Sequence, residues 1–360
     1  MIIIVGAGPA GLAMAYELQQ RNLSYRILER CRIGFAWQNH YDRLHLHTLK
    51  QVSALPGLPM PDDYPPFPSA AQFQRYLAQY ARHFQLDVAS GVEVQSATWN
   101  ARAWQIMTNQ GLVEGDTLVV ATGIWSTPYV PALGGEAEFG GSIMHSRDYR
   151  NPTPFVGKRT LVVGVGNSGA EIAVDLSENG VATGISIQSG AAFVPHPRSA
   201  MAMRALSWLF RRMPRSLSER VLRRVRRDYS AIGIPWPPGM LLDAYPVVGY
   251  QLPEAVAAGR VTRSPGVSRF LPGRVQFDNG SSEPFDAVVM ATGYRPTIHF
   301  VADQVDLDQH GKPRVDRYWR SVRNPHLVCV GFAYPTTEGW LQAIGRVART
   351  AAEGIAQGRR

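Results

Sequence analysis

Two six-residue stretches carry three glycines at the same spacing, Gly6-Ala7-Gly8-Pro9-Ala10-Gly11 and Gly164-Val165-Gly166-Asn167-Ser168-Gly169. Each follows a short apolar run, Ile2 to Val5 and Leu161 to Val163, and each opens a stretch of helical spacing. A turn of this kind aims backbone N–H groups and the positive end of a helix at one point, which is what holding a pyrophosphate requires. Two such turns imply two dinucleotides, and the chemistry that needs two is electron transfer from one to the other. Glu29 falls 23 positions after Gly6, at the end of the run Tyr25 to Leu28. A carboxylate there accepts hydrogen bonds from both ribose hydroxyls and repels a 2′-phosphate, so the first site suits FAD or NAD rather than NADP.

The elements that must position these loops are those of an α/β fold. Ile2–Val5 reads as a buried strand, Pro9–Gln20 as a helix and Tyr25–Leu28 as a second strand. Six prolines between Pro56 and Pro68 make a stiff loop. The spacing of Phe73, Tyr76, Leu77, Tyr80 and Ala81 predicts a helix over 70–84. Residues 92–107 read as antiparallel strands turning at Asn100-Ala101. Leu118 to Gly123 is a strand ending in an Ala-Thr-Gly turn, nearly copied at Val288 to Gly293. These mark where the chain leaves one nucleotide domain and later returns. Leu327–Val330 reads as a late strand and 338–356 as a closing helix whose N-terminus can face a flavin ring.

The chain has 360 residues, 45% hydrophobic and 18% charged, with two cysteines and a formal charge of +9. That is enough for two or three domains. Cys31 and Cys329 form no CxxC pair, so no dithiol redox site or disulfide framework is expected. No run is long enough to span a membrane, and the first strand starts at Ile2, leaving no room for a signal peptide. The expected location is the cytoplasm. The charge is concentrated. Residues 201–230 hold nine arginines against Glu219 and Asp228, a net +7, with Leu206, Leu209, Phe210, Leu217 and Val221 at roughly helical spacing. Two readings stand: a basic amphipathic helix touching a membrane or other acidic partner, and a solvated helix pair packing one face. The second is preferred, because such patterns are common and weakly specific. No nucleic-acid module accompanies the charge, so nucleic acid is not expected as a partner.

His45 and His47 alternate with Leu44 and Leu46, which on a strand puts both on one side. Metal binding by this pair needs a further ligand that the sequence does not identify, so no metal is expected.

Between the glycine loops stands Phe139-Gly140-Gly141-Ser142-Ile143-Met144-His145-Ser146-Arg147-Asp148-Tyr149. Its F-x-G-x-x-x-H-x-x-x-Y pattern resembles the identifying motif of flavin-containing monooxygenases. The loop Gly166-Asn167-Ser168-Gly169 and the segment Trp37 to Lys50 match the same group. Leu55-Pro56, the prolines from Pro59 to Pro68, Phe73 and Tyr76-Leu77 narrow the resemblance to the YUCCA-like flavin monooxygenases. Phe277-Asp278-Asn279-Gly280, Phe285-Asp286-Ala287 and Ala291-Thr292-Gly293-Tyr294 do so as well. The resemblance covers nearly the whole chain.

What it implies is a glutathione-reductase-like architecture of two Rossmann-like dinucleotide-binding domains. The FAD-binding domain takes residues 1–152 and 288–360. The NAD(P)H-binding domain is inserted at 153–287, with an Arg-rich helical insert about 200–230. NADPH reduces FAD, O2 forms a C4a-(hydro)peroxyflavin, and one oxygen atom passes to a small organic substrate. The acceptor is nitrogen, sulfur or a carbonyl; oxidative decarboxylation of a 2-oxo acid is the variant to test first. The cofactor carries the hard chemistry, so no triad or metal cluster is needed.

Implied FAD contacts are Gly6, Gly8, Pro9, Ala10, Gly11, Glu29, Arg30, Trp37, His47, Val92, Thr122, Gly123, Gly331 and Gly339. Implied NAD(P) contacts are Gly164, Gly166, Asn167, Ser168, Gly169, Gln188, Ala291, Thr292, Gly293 and Tyr294. Phe139, Gly141, His145 and Tyr149 form the family motif, with His145 coupling the two domains rather than moving protons. His47 or Thr48 runs past the reactive flavin edge as the candidate catalytic donor; the other reading of His47 is packing alone. Gln188, 24 positions after Gly164, departs from the pattern. The resembling enzymes carry Arg there to grip the 2′-phosphate, and Gln has no such fork. Arg198 or Arg204 is the expected substitute, and acceptance of NADH beside NADPH is expected. Two rival functions remain: an NAD(P)H oxidase or flavin reductase releasing H2O2, and a flavoprotein docking through its basic helix. A homodimer is left open.

Overall fold

The computed structural model describes residues 1–308, 311–333 and 340–358. Ile2–Val5 forms the middle strand of a five-stranded parallel sheet. Its order is Leu327–Cys329, Thr117–Val120, Ile2–Val5, Tyr25–Glu29, Val88–Ser90. All four residues of the middle strand are buried, because a parallel strand is covered on both faces. Successive side chains face opposite ways. Ile2 and Ile4 meet the helix Pro9–Gln19 and the closing helix Trp340–Gln357, while Ile3 and Val5 meet Trp104 and Ile106 of an antiparallel layer. That layer has three strands, Val94–Trp99, Trp104–Thr108 and Gly111–Gly115. The turn at Asn100-Ala101 is as expected, with Ala101 at φ 71°, but the third strand was not anticipated.

The second sheet repeats the plan. Its order is Val261–Ser264, Ala182–Ser186, Arg159–Val163, Ala287–Met290, Ser142–His145, again all parallel. One face carries the helix Asn167–Glu178, through Ile172, Ala173 and Leu176. The other carries the antiparallel strands Val267–Leu271, Arg274–Phe277 and Ser282–Pro284, through Phe270, Val275 and Phe277. The domain boundaries expected at 152 and 287 cut this sheet. Ser142–His145 and Ala287–Met290 both belong to it, because Phe139 is buried against Phe270 and anchors the motif strand to this core. The chain crosses between the sheets at Thr127–Pro128 and Tyr294–Arg295, which pair antiparallel.

The 41–50 segment is not a strand. His45 makes one isolated bridge to Ser69, and the backbone is held by Leu46 N–H to Pro68 O and Ala70 N–H to Leu44 O. The Arg-rich segment is a helix pair, Ala200–Arg212 and Arg215–Val225. Leu206, Leu209 and Leu217, expected on a packed face, are instead exposed. Gly339 lies outside the described residues.

Candidate functional site

The two glycine loops are built alike. A Cβ on Gly11 would fall on the Gly6 carbonyl oxygen, and one on Gly169 would fall on the Gly164 carbonyl oxygen. The third glycine of each loop is therefore a packing requirement, and it lies behind the cleft rather than in it. Gly6 and Gly164 have φ of 105° and 103°, a region open to glycine. Each also leaves a Cβ no room beside the carbonyl of an Ala-Thr-Gly turn, Ala121 at 2.9 Å and Ala291 at 2.6 Å. The middle glycines, Gly8 and Gly166, have nothing within 4 Å of a built Cβ. They are the helix N-caps and neither helix has a side-chain cap. The first-turn N–H groups thus point into open space, which is the condition for taking a phosphate.

Both loops open into one cleft of about 2220 Å³. Single small-ligand pockets run to roughly 1,000 Å³, so this cleft has room for two dinucleotides. Gly6, Gly8, Pro9, Ala10, Glu29, Arg30, Trp37, His47, Thr48, Val92, Thr122 and Gly123 line it at the first sheet. Gly164, Gly166, Asn167, Ser168, Ala291, Thr292, Gly293 and Tyr294 line it at the second. Gly331, at φ 87°, sits where a Cβ would touch Ala10 Cβ at 2.9 Å, against the start of the first helix. Gln188 is exposed, two residues beyond its strand, and lies outside the cleft wall.

Glu29 accepts Ala7 N–H at 2.7 Å on one carboxylate oxygen and Cys31 N–H at 2.9 Å on the other. It is thereby fixed beside the first loop with lone pairs left for ribose hydroxyls. The loop, the uncapped helix and the fixed carboxylate together fit the adenosine diphosphate part of FAD.

The motif residues anchor the elements around them. Phe139 is fully buried, and a Cβ on Gly141 would press on its ring at 2.5 Å. His145 accepts Arg147 N–H on Nδ1 at 3.1 Å, so Nε2 carries the proton and donates to Gly293 O at 3.0 Å. Burial lowers its pKa and the Gly293 bond partly offsets this. Both nitrogens are thus occupied in holding the turn that leads back to the first sheet. Tyr149 is buried and donates to Asp175 on the helix after the second loop, at 2.7 Å. The two Ala-Thr-Gly turns are tied across the crossover by Thr122 to Thr297 O at 2.7 Å and Thr292 to Tyr129 O at 2.5 Å.

Beside the cleft, in a small pocket that shares His47 with it, lies a polar pairing that the sequence did not reveal. Glu171 accepts Tyr41 OH at 2.7 Å on one oxygen and lies 2.6 Å from His47 Nε2 on the other. The segment that supplies Tyr41 and His47 bridges the cores. Leu46 packs in the first and Tyr41 and Leu44 in the second. His40 and His196 flank it, both with pKa lowered by burial, His40 to about 4. Thr48 Oγ1 lies 2.7 Å from Ser53 Oγ, so its hydroxyl is engaged locally. The Asn167 side chain clamps the 246–248 loop through Pro246 O and Val248 N–H, leaving only its backbone for a nucleotide.

Arg204 donates to Gln51 O at 2.9 Å, whereas Arg198 lines the cleft. A further cation escaped the sequence reading: Arg263 donates to Ile187 O at 3.3 Å, one residue before Gln188, and its buried Nε has no partner among the described residues. Its signal, an arginine in a strand of the second sheet, becomes visible only from the strand order.

Residues 3–204 match the family model described as pyridine nucleotide-disulphide oxidoreductase. The chain is 33% identical to the probable indole-3-pyruvate monooxygenase YUCCA7 of Arabidopsis thaliana over 92% of its length and 82% of that protein's. It shares the same identity and coverage with the indole-3-pyruvate monooxygenase YUCCA4 of Oryza sativa subsp. japonica. Among solved structures it resembles the flavin-containing monooxygenase from Stenotrophomonas maltophilia. There the TM-score is 0.79 at 27% identity, covering 100% of this chain and 98% of the other.

Proposed function

This chain belongs to the YUCCA-type flavin monooxygenases, within the pyridine nucleotide-disulphide oxidoreductase family, and on that premise we propose that it oxygenates a small 2-oxo acid. It is an FAD-dependent monooxygenase that uses NADPH and O2. FAD, when bound, stores the two electrons and activates oxygen. The proposed overall step consumes the 2-oxo acid, O2, NADPH and a proton. It yields the carboxylic acid one carbon shorter, CO2, NADP+ and water.

One observation carries this reading: two dinucleotide cradles open into a single cleft whose wall includes His47, held from an adjoining side pocket by Glu171. The chain's own residues then bind, orient and exclude water. Glu29 and the first loop fix one nucleotide; the second loop and the Ala291 to Tyr294 turn fix the other. His145 and Tyr149 hold the second domain's cleft-facing elements in place. His47, with Nε2–H on Glu171, is the proposed donor at the oxygen-transfer site through Nδ1–H of its imidazolium form, in preference to Thr48, whose hydroxyl Ser53 occupies. Arg147 and Arg198 line the same cleft and suit a substrate carboxylate. Dithiol chemistry is not part of the reading, since Cys31 and Cys329 are both free and Cys329 is buried in a strand.

Gln188 supports relaxed nucleotide choice, with NADH accepted beside NADPH. No helix of the described residues is long and apolar enough to cross a membrane, and the proposed setting is the cytoplasm. Labelled oxygen tests the function. With 18O2, NADPH and an aryl 2-oxo acid, the product acid gains one labelled atom and CO2 is released. NADPH oxidation matched by H2O2, with no label in any 2-oxo acid, amine or sulfide product, would select the oxidase reading instead.

A further inference from the structure

The helix Ala200–Arg212 is turned the wrong way round for a solvated helix. Its packed side is the i, i+4, i+7 stripe Met203, Ser207 and Phe210, the first and last half-buried and the middle one buried. At 100° per residue the opposite, outward side carries Met201, Trp208 and Leu209. These are 80%, 54% and 45% exposed. Arg212 stacks over the Trp208 ring at 4.0 Å. On the next helix Leu217 and Val225 are also exposed, and Arg220 and Arg224 make no ion pair among the described residues. Within 201–230, basic residues exceed acidic ones by seven.

We infer that this outward face docks on an anionic phospholipid bilayer. Charge and shape choose the occupant together. Arginines flanking an aromatic and aliphatic patch can reach lipid phosphates while their stems and the Trp ring lie at the acyl boundary. A purely ionic partner leaves Met201, Trp208 and Leu209 in water, and a purely apolar one leaves the arginines without counter-charge. Contact is peripheral, since no helix of the described residues crosses a membrane. The inner side of the same helix contributes Met203 and Phe210 to the cleft wall, so the docked face and the cleft are two sides of one element.

The test uses the flavin-loaded full chain, sedimented with vesicles of phosphatidylcholine with or without phosphatidylglycerol and read by flavin absorbance. The enzyme pellets with phosphatidylglycerol vesicles and stays in solution with phosphatidylcholine alone. Each arginine near an anionic surface contributes roughly a fivefold factor, so Arg220→Gln with Arg224→Gln lowers partitioning by at least about tenfold. Met201→Gln, Trp208→Gln and Leu209→Gln together abolish it, while NADPH oxidation without vesicles is unchanged because none of these residues lines the cleft. The inference is overturned by failure to pellet, or by equal binding to both vesicle types. Undiminished binding of the triple apolar variant also overturns it, because charge alone would then suffice, as for a nucleic acid. So does a dimer that the triple variant disrupts while vesicles bind neither protein.

Discussion

His47 Nε2 lies 2.6 Å from Glu171 Oε1, and this contact joins the segment that crosses the cleft to the helix opening the second glycine loop. Glu171 also holds Tyr41, so one carboxylate sets the position of two residues from the other side of the cleft. A hydrogen bond to a charged group contributes about 1.5–3 kcal/mol, enough to fix one ring orientation. His47→Ala is expected to lower product formed per NADPH oxidised by about a hundredfold, at the low end for loss of a positioned proton donor, with flavin reduction by NADPH unchanged. Glu171→Ala is expected to act in the same direction through ring orientation, and Glu171→Gln to restore part of the loss. Simultaneous measurement of oxygen uptake, H2O2 and product decides this. An unchanged product ratio in His47→Ala leaves the histidine as packing.

Gly11 tests the cofactor cradle with one methyl group. Its Cβ would meet a carbonyl oxygen of the loop itself, so the loop must open for Gly11→Ala to fold. The expected outcome is purified protein with little bound FAD, read from the flavin-to-protein absorbance ratio. Gly169→Ala makes the same collision in the second loop. It should keep its FAD and lose reduction by NADPH. Full flavin content in Gly11→Ala would show that the first loop does not bear the pyrophosphate.

The buried histidines predict how stability depends on pH. Burial holds His40 down to about 4, with the Arg150 charge adding to the effect and Glu171 opposing it. His145 and His196 shift the same way. In the unfolded chain these rings take up a proton near pH 6.5. Between that point and about pH 4 the unfolded state therefore binds more protons than the folded one, and stability falls as pH falls. Above pH 6.5 the contribution is complete and flat. His40→Asn should flatten the drop in melting temperature between pH 6.5 and 4.5; an unchanged slope would assign the acid sensitivity elsewhere.

Tyr149 closes the family motif by bonding Asp175, which also lies 3.3 Å from Arg43. Tyr149→Phe removes one buried hydrogen bond and leaves Asp175 with Arg43. About 1–2 kcal/mol of stability should be lost, seen as a lower melting temperature, with FAD content retained. A variant as stable as the parent would mean that Asp175 finds a new donor or water.

What could be read from the sequence was whatever depends on local backbone. Gly6 to Gly11 and Gly164 to Gly169 are legible because phosphate cradling needs specific residues at fixed offsets, and Glu29 because it ends the next strand of the same unit. The pairing of His47 with Glu171 spans 124 positions and arises only when the sheets face each other. The alternation around His45 misled for a related reason: contacts with the proline-rich loop hold that segment, without a strand partner. At 200–212, helical spacing revealed two faces but not which one turned inward. Ser142–His145 pairs with a strand some 145 residues later in the chain, a neighbour that no local pattern announces.

Gln188 gives the sharpest test of nucleotide choice. It is exposed just past its strand, with its Cγ about 3.0 Å from where a Gly266 Cβ would stand. Arg263 lies nearby, bonded to Ile187 O, and carries the charge that Gln188 lacks. A guanidinium fork gives a 2′-phosphate two parallel hydrogen bonds that an amide cannot. The present chain should therefore favour NADPH over NADH by less than about a thousandfold in kcat/KM, which corresponds to roughly 4 kcal/mol. Gln188→Arg should raise that ratio by about tenfold to a hundredfold through KM for NADPH, with kcat little changed. Arg263→Gln should lower it, because a cation beside the expected phosphate position is then removed. If Arg263→Gln leaves the ratio untouched while Arg198→Gln lowers it, the phosphate is held from the cleft wall instead of the strand end.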